Sequence, residues 1–89
     1  MPTLSLFNGI MIKMNREGGA QHKAAHIHAI HAEREASYDI VTCERLAGDL
    51  KPDDEMQVKA WIVLHREDLL ANWKLLNEEG QYFKIEPLR

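Results

Sequence analysis

The chain changes character once, at Lys51-Pro52, and that change limits what it can fold into. Before this point the apolar residues fall in short, strand-like runs. After it they return at helical spacing. A chain that reads as strands first and helix second builds an α+β domain, with helices collected on one side of an antiparallel sheet. Its 89 residues suffice for one domain, taken as residues 1–89. So short a chain buries roughly 60–65% of the surface its unfolded form exposes, so its core is thin and a partner covering an apolar face adds appreciably to its stability.

The strand half reads as a meander. Thr3–Phe7 and Ile10–Met14 flank Asn8-Gly9, the dipeptide best suited to a two-residue hairpin, where both turn positions need positive φ. That turn pairs Phe7 with Ile10, Ser5 with Ile12 and Thr3 with Met14. It puts Phe7, Ile10, Ile12 and Met14 on one face, the expected core face. Residues 15–25 form a polar loop centred on Gly18-Gly19. His26–His31 and Arg34–Val41 make a second hairpin around Ala32-Glu33. Its apolar pairs, Ile27 with Tyr38 and Ala29 with Ala36, fix the register, because a slip by one residue mixes the faces. On the opposite face His26 then stands across from Asp39, and His28 across from Ser37. A turn at Thr42-Cys43-Glu44 leads to a last strand, Arg45–Leu50, with Leu46 opposite Ile40 on the core face.

Pro52-Asp53-Asp54 opens the helical half. Asp54 with Gln57 three residues on resembles a capping box, and the early acids suit the helix dipole. Met56, Ala60, Val63 and Leu64 make one apolar stripe; Trp61, Leu64, His65, Leu69, Trp73 and Leu76 make another. One long helix to about Glu79, or two meeting near His65-Arg66-Glu67, both fit; the shift of the apolar face favours two. Gly80 is the natural C-cap. The expectation is a five-stranded antiparallel meander followed by one or two C-terminal helices packed on one face.

Composition narrows the function classes. Hydrophobic residues at 45% and charged residues at 28% fit a packed domain and not a disordered one. Cys43 is the one cysteine, so no intramolecular disulfide forms, which suits a reducing compartment. No basic segment and long apolar run follow Met1-Pro2-Thr3, so no secretory signal is expected, and no apolar stretch approaches the ~20 residues of a membrane span. The formal charge of -3 argues against general attraction to nucleic acid. It is unevenly spread: four basic against two acidic residues up to Arg34, then seven against twelve. A split of +2 and -5 steers a charged partner.

Histidine carries the chemical interest. Four of the five fall between positions 22 and 31, and His26 and His28, two apart on a strand, point the same way at roughly 7 Å between Cα atoms. Such a pair can converge on a metal ion, zinc for example, with His22 as a further ligand and Asp39 completing or orienting the site. His-x-His alone is a weak metal signal, and the plainer reading is strand histidines facing solvent or a partner. The same pair with Asp39 also suits metal-free cleavage of RNA, one imidazole as base and one as acid, with Lys13, Arg16, Lys23 and Arg34 on phosphate; the net acidity opposes this. Trp61, His65 and Trp73 on the helical stripe are read as core, or as anchors for a partner.

These residues also carry a resemblance. The opening Met1-Pro2-Thr3-Leu4-Ser5-Leu6-Phe7-Asn8-Gly9-Ile10, the segment His22-Lys23-Ala24-Ala25-His26-Ile27-His28-Ala29, the run from Trp61 to Trp73 and the ending Lys84-Ile85-Glu86-Pro87-Leu88 resemble the small bacterial family catalogued as domain of unknown function 4160. The chain departs from the family pattern at Gln21, where an Asp is usual, at Ala24-Ala25, where two prolines are usual, and at Cys43, in place of a turn glycine. The resemblance implies a bacterial cytoplasmic protein, often encoded beside a second small protein as in toxin–antitoxin modules. Two functional readings remain open. One is a partner-binding module that docks a second small protein or itself. The other is a metal-binding or hydrolytic protein built on His22, His26, His28 and Asp39.

Overall fold

A computed structural model of the chain describes residues 2–16 and 24–88. Five strands, β1 (Thr3–Phe7), β2 (Ile10–Lys13), β3 (His26–His31), β4 (Arg34–Asp39) and β5 (Arg45–Gly48), pair antiparallel in the order β1-β2-β3-β4-β5. One long helix, α1 (Pro52–Glu79), follows them. Ile10, Ile12, Ile27, Ala29, Ala36 and Tyr38 from the sheet are buried in one cluster with Val58, Trp61, Ile62, Leu69 and Leu76 from the helix. The alternation expected from the sequence is what places them there.

The first turn is as its sequence demands, with φ of 50° at Asn8 and 81° at Gly9. Phe7 pairs with Ile10 and Ser5 with Ile12, but Thr3 meets Lys13 and not Met14, because the register shifts between Thr3 and Ser5. That irregularity adds a residue to β1 and turns Leu4 inward, where it is fully buried beside a buried Ser5. In the β3–β4 hairpin the expected register holds at every pair, from His26 with Asp39 to His31 with Arg34. Ala32-Glu33 turns it with positive φ at Ala32 alone, 57°.

Three expectations are corrected. β4 ends at Asp39, since Ile40 and Val41 already belong to the turn. β5 ends at Gly48 and pairs Ala36 with Gly48 and Tyr38 with Arg45, across a shift between Ser37 and Tyr38. Leu46 is therefore about half exposed and lies off the core face. Gly48 lets the end of β5 lie close against β4: its φ is 72°, and a Cβ there would collide with the Glu35 carbonyl oxygen. Finally, Asp54 does not cap the helix. Lys51 is the N-cap residue, without a side-chain cap bond, and Pro52 takes the first helical position, where its missing N–H costs nothing.

The helix is continuous to the eye but breaks its dihedrals at His65, with φ of -119° and ψ of 22°. Two helical arms meet there, at the place where the apolar pattern shifts. Gly80 ends the second arm in the left-handed conformation and donates to the Leu76 carbonyl. The tail after it is extended and pinned. The Ile85 N–H donates to the Leu4 carbonyl at 2.9 Å, and the Trp61 indole N–H to the Glu86 carbonyl at 2.8 Å. The fully buried Asn72 amide both donates to the Phe83 carbonyl and accepts from the Phe83 N–H.

Candidate functional site

His26 and His28 project from β3 on the same side, as residues two apart on a strand must. Their ring centroids are 5.3 Å apart with the planes at 68°. The His26 ring also lies 5.1 Å from that of Trp73 on the second helical arm. Each imidazole is tethered at Nδ1. His26 Nδ1 meets the Ala24 carbonyl oxygen at 2.8 Å, and His28 Nδ1 meets a Glu35 carboxylate oxygen at 3.2 Å. A carbonyl oxygen only accepts, so His26 carries its proton on Nδ1, and an ionised Glu35 selects the same tautomer for His28. His28 Nε2 is buried without a hydrogen-bond partner. An unmet buried acceptor of this kind costs about 1–3 kcal/mol. Beside it His28, Glu35, Ala36, Ser37, Ala47 and Gly48 line a hollow of about 210 Å³.

The carboxylate at this pair is Glu35, where the sequence pointed to Asp39. Asp39 stands across from His26 as expected, but its Oδ1 accepts from the Val41 N–H at 2.7 Å and the Thr42 N–H at 2.9 Å. It holds the turn that follows β4. Once His28 faces Ser37, both Glu35 and Asp39 are its diagonal neighbours, and register alone does not choose between them. His22 and Lys23 lie outside the described residues. Among the described residues no group of three or more His, Cys, Asp or Glu side chains could hold a metal ion. Of the cations expected at phosphate, Arg34 pairs with Asp49 at 3.1 Å, and Lys13 sits beside His28 in the β2–β3 register.

The helical residues divide. Trp61 is fully buried, packed 5.6 Å from Phe7 and 5.4 Å from His65, so it serves the core and is closed to a partner. His65 and Trp73 are half-buried. Arg66 crosses to the sheet end, donating to the Ile40 carbonyl at 2.9 Å and to the Cys43 Sγ at 3.2 Å. The inner row runs Val58, Trp61, Ile62, Leu69, Asn72, Leu76. The opposite side of the helix is also apolar. Met56, Val63 and Leu64 are 71%, 58% and 67% exposed, Leu70 is exposed as well, and Ala60 and Ala71 continue the row. At the break in the helix, Val63, Leu64, His65, Arg66, Asp68 and Leu70 help to line a hollow of about 450 Å³.

The sequence pattern described as Domain of unknown function (DUF4160) matches residues 9–74. The chain belongs to that family. No curated protein and no solved structure matches it. The DUF4160 match takes in β2 to β5 and most of α1, and so both the histidine pair and the outer helical row. No described helix of this DUF4160 protein is long and apolar enough to cross a membrane.

One further contact escaped the sequence reading. His31 Nδ1 lies 2.8 Å from Asp54 Oδ2 and ties the end of β3 to the first turn of the helix. The signal was parity: His31 has the same parity as Ile27 and Ala29 and so faces the helix. Tyr38, also on that side, has its hydroxyl buried without a partner. Its ionisation is pushed up to about 12, by burial first and then by the charge of Glu55, which outweighs the opposing Arg45.

Proposed function

We propose that this DUF4160 protein is a cytoplasmic partner-binding protein, one half of a two-protein module of toxin–antitoxin type, and that the outer row of α1 is its docking surface. The observation that carries the reading is a helix apolar on two opposite sides while only one side meets the sheet. Val58, Trp61 and Ile62 are buried; Met56, Val63 and Leu64, on either side of them in sequence, are largely exposed. An exposed apolar row on so small a domain, interrupted at Glu67, marks a surface that another molecule covers. The break at His65 gives the stripe a hollow in which a partner side chain can seat.

Charge selects the kind of occupant. The chain from Glu35 onward carries twelve acidic and seven basic residues, so two copies meeting through this half would oppose like charges. The occupant is therefore a different small protein with an apolar strip edged by Lys and Arg. The test is light scattering of the untagged protein, alone and mixed with the product of the neighbouring gene, for the wild type and for Val63→Glu combined with Leu64→Glu. The reading expects a wild-type monomer that forms a complex with that product, and a double variant with the wild-type melting temperature whose affinity is at least about 100-fold weaker, since two desolvated charges are placed at the contact. A folded double variant that still binds fully, or a wild-type homodimer that the double variant dissolves, overturns it.

A further inference from the structure

We propose that the outer row of α1 is a helix-pairing seam, and that the partner element seated on it is an amphipathic helix with a Lys or Arg opposite Glu67. This deepens the docking reading above and rests on it. The first support is spacing. Met56, Ala60, Val63, Glu67 and Leu70 follow one another at steps of four, three, four and three residues, and all of them are exposed. Alternating steps of four and three hold one narrow line on a helix, the line along which a second helix packs its side chains as knobs into holes. The line faces outward on both arms of α1, since Met56 and Val63 precede the break at His65 and Leu70 follows it.

Backbone chemistry decides between a helix and an extended segment. A helix spends its N–H and C=O groups on its own turns, so α1 has no ladder to offer a strand laid on this row, and such a strand would bury unpaired backbone groups. A partner helix brings its groups already paired. From Met56 to Leu70 the row is about 21 Å long, the reach of roughly four helical turns. Charge then fixes the register. Glu67 sits in the row itself, and Asp68 beside it lines the same hollow. The nearby cations are engaged elsewhere: Lys59 pairs with Glu55 at 3.2 Å, and Arg66 turns to the Ile40 carbonyl and the Cys43 Sγ. Among the described residues no cation pairs with Glu67. Covering a carboxylate without a counter-ion is costly, so the helix that covers this one brings a Lys or Arg to it. A single polar position in an apolar seam sets the register of a helix pair.

The test uses the full chain and the isotope-labelled product of the neighbouring gene. Nuclear Overhauser contacts to the Val63 and Leu64 methyls pick out the seated segment, and its Cα shifts report its conformation. The expected segment is a helix with a Lys or Arg against Glu67. Calorimetry compares wild type with Glu67→Leu, whose fold is checked by its melting temperature. Glu67→Leu binds at least about tenfold more weakly, because it strands the partner's cation, and its affinity depends less on salt. Glu67→Gln shifts affinity in the same direction without adding an apolar side chain. A seated segment that is strand or loop overturns this inference; if Val63→Glu with Leu64→Glu still abolishes binding, the docking reading stands without it. Equal or tighter binding by Glu67→Leu overturns the paired cation, and the inference with it. Full binding by the Val63→Glu and Leu64→Glu double variant, or no binding by wild type, overturns the docking reading and this inference together.

Discussion

Glu35 and Asp39 lie on the same side of one strand, and they do different work. Glu35 reaches diagonally to His28. Asp39, directly across from His26, turns its Oδ1 to two backbone N–H groups beyond the strand. Asp39→Ala is therefore expected to lower stability by about 1 kcal/mol through loss of the turn bonds, as read by urea denaturation. A folded Asp39→Ala protein with wild-type stability would show that the turn does not depend on this carboxylate. The histidine pair was readable from the sequence because strand parity alone puts His26 and His28 on one side. Its carboxylate was not, because register gives the residue opposite and does not say whether a neighbour's side chain will be claimed by the backbone. Short Asp beside a turn is claimed; longer Glu, four residues back, is free to reach.

At the scale of elements, the sequence showed the meander and the Gly80 cap, and it left one helix or two open while favouring a break near His65. Each rests on local chemistry: Asn-Gly at the first turn, apolar parity in the β3–β4 hairpin, and helical spacing after Pro52. What escaped was irregular pairing. The shifts at Thr3–Ser5 and Ser37–Tyr38 move Leu4 inward and Leu46 outward, and alternation counted from a neighbouring strand cannot foresee an extra residue. The tail was also read only as extended. Asn72 holds it by supplying both a donor and an acceptor to Phe83 from a fully buried amide. Asn72→Ala strands both groups and is expected to destabilise the fold by roughly 2–4 kcal/mol. Chemical denaturation measures this, and a loss below about half a kilocalorie per mole would show that the tail contributes little.

For the whole molecule, the sheet and the inner helical row share one thin core, and burial sets how that core responds to alkali. Tyr38 keeps its proton in the fold up to about pH 12, whereas an unfolded tyrosine releases it near 10. Between those values the unfolded chain binds fewer protons, so stability falls as pH rises through that window. Tyr38→Phe, which removes a buried hydroxyl without a partner, should be close to neutral at pH 7 and should abolish this part of the alkaline loss, as read from urea midpoints at pH 9 and 11. An unchanged alkaline slope in the variant would place the loss elsewhere.

A helix with two apolar sides sets one against its own sheet, and the other is the proposed contact with a second protein. Methyl resonances read the two sides in one titration with the neighbouring gene product. The methyls of Met56, Val63, Leu64 and Leu70 are expected to shift on binding while those of Val58, Ile62 and Leu76 stay in place. Shifts gathered on the β1–β2 hairpin, with the outer row silent, would contradict it.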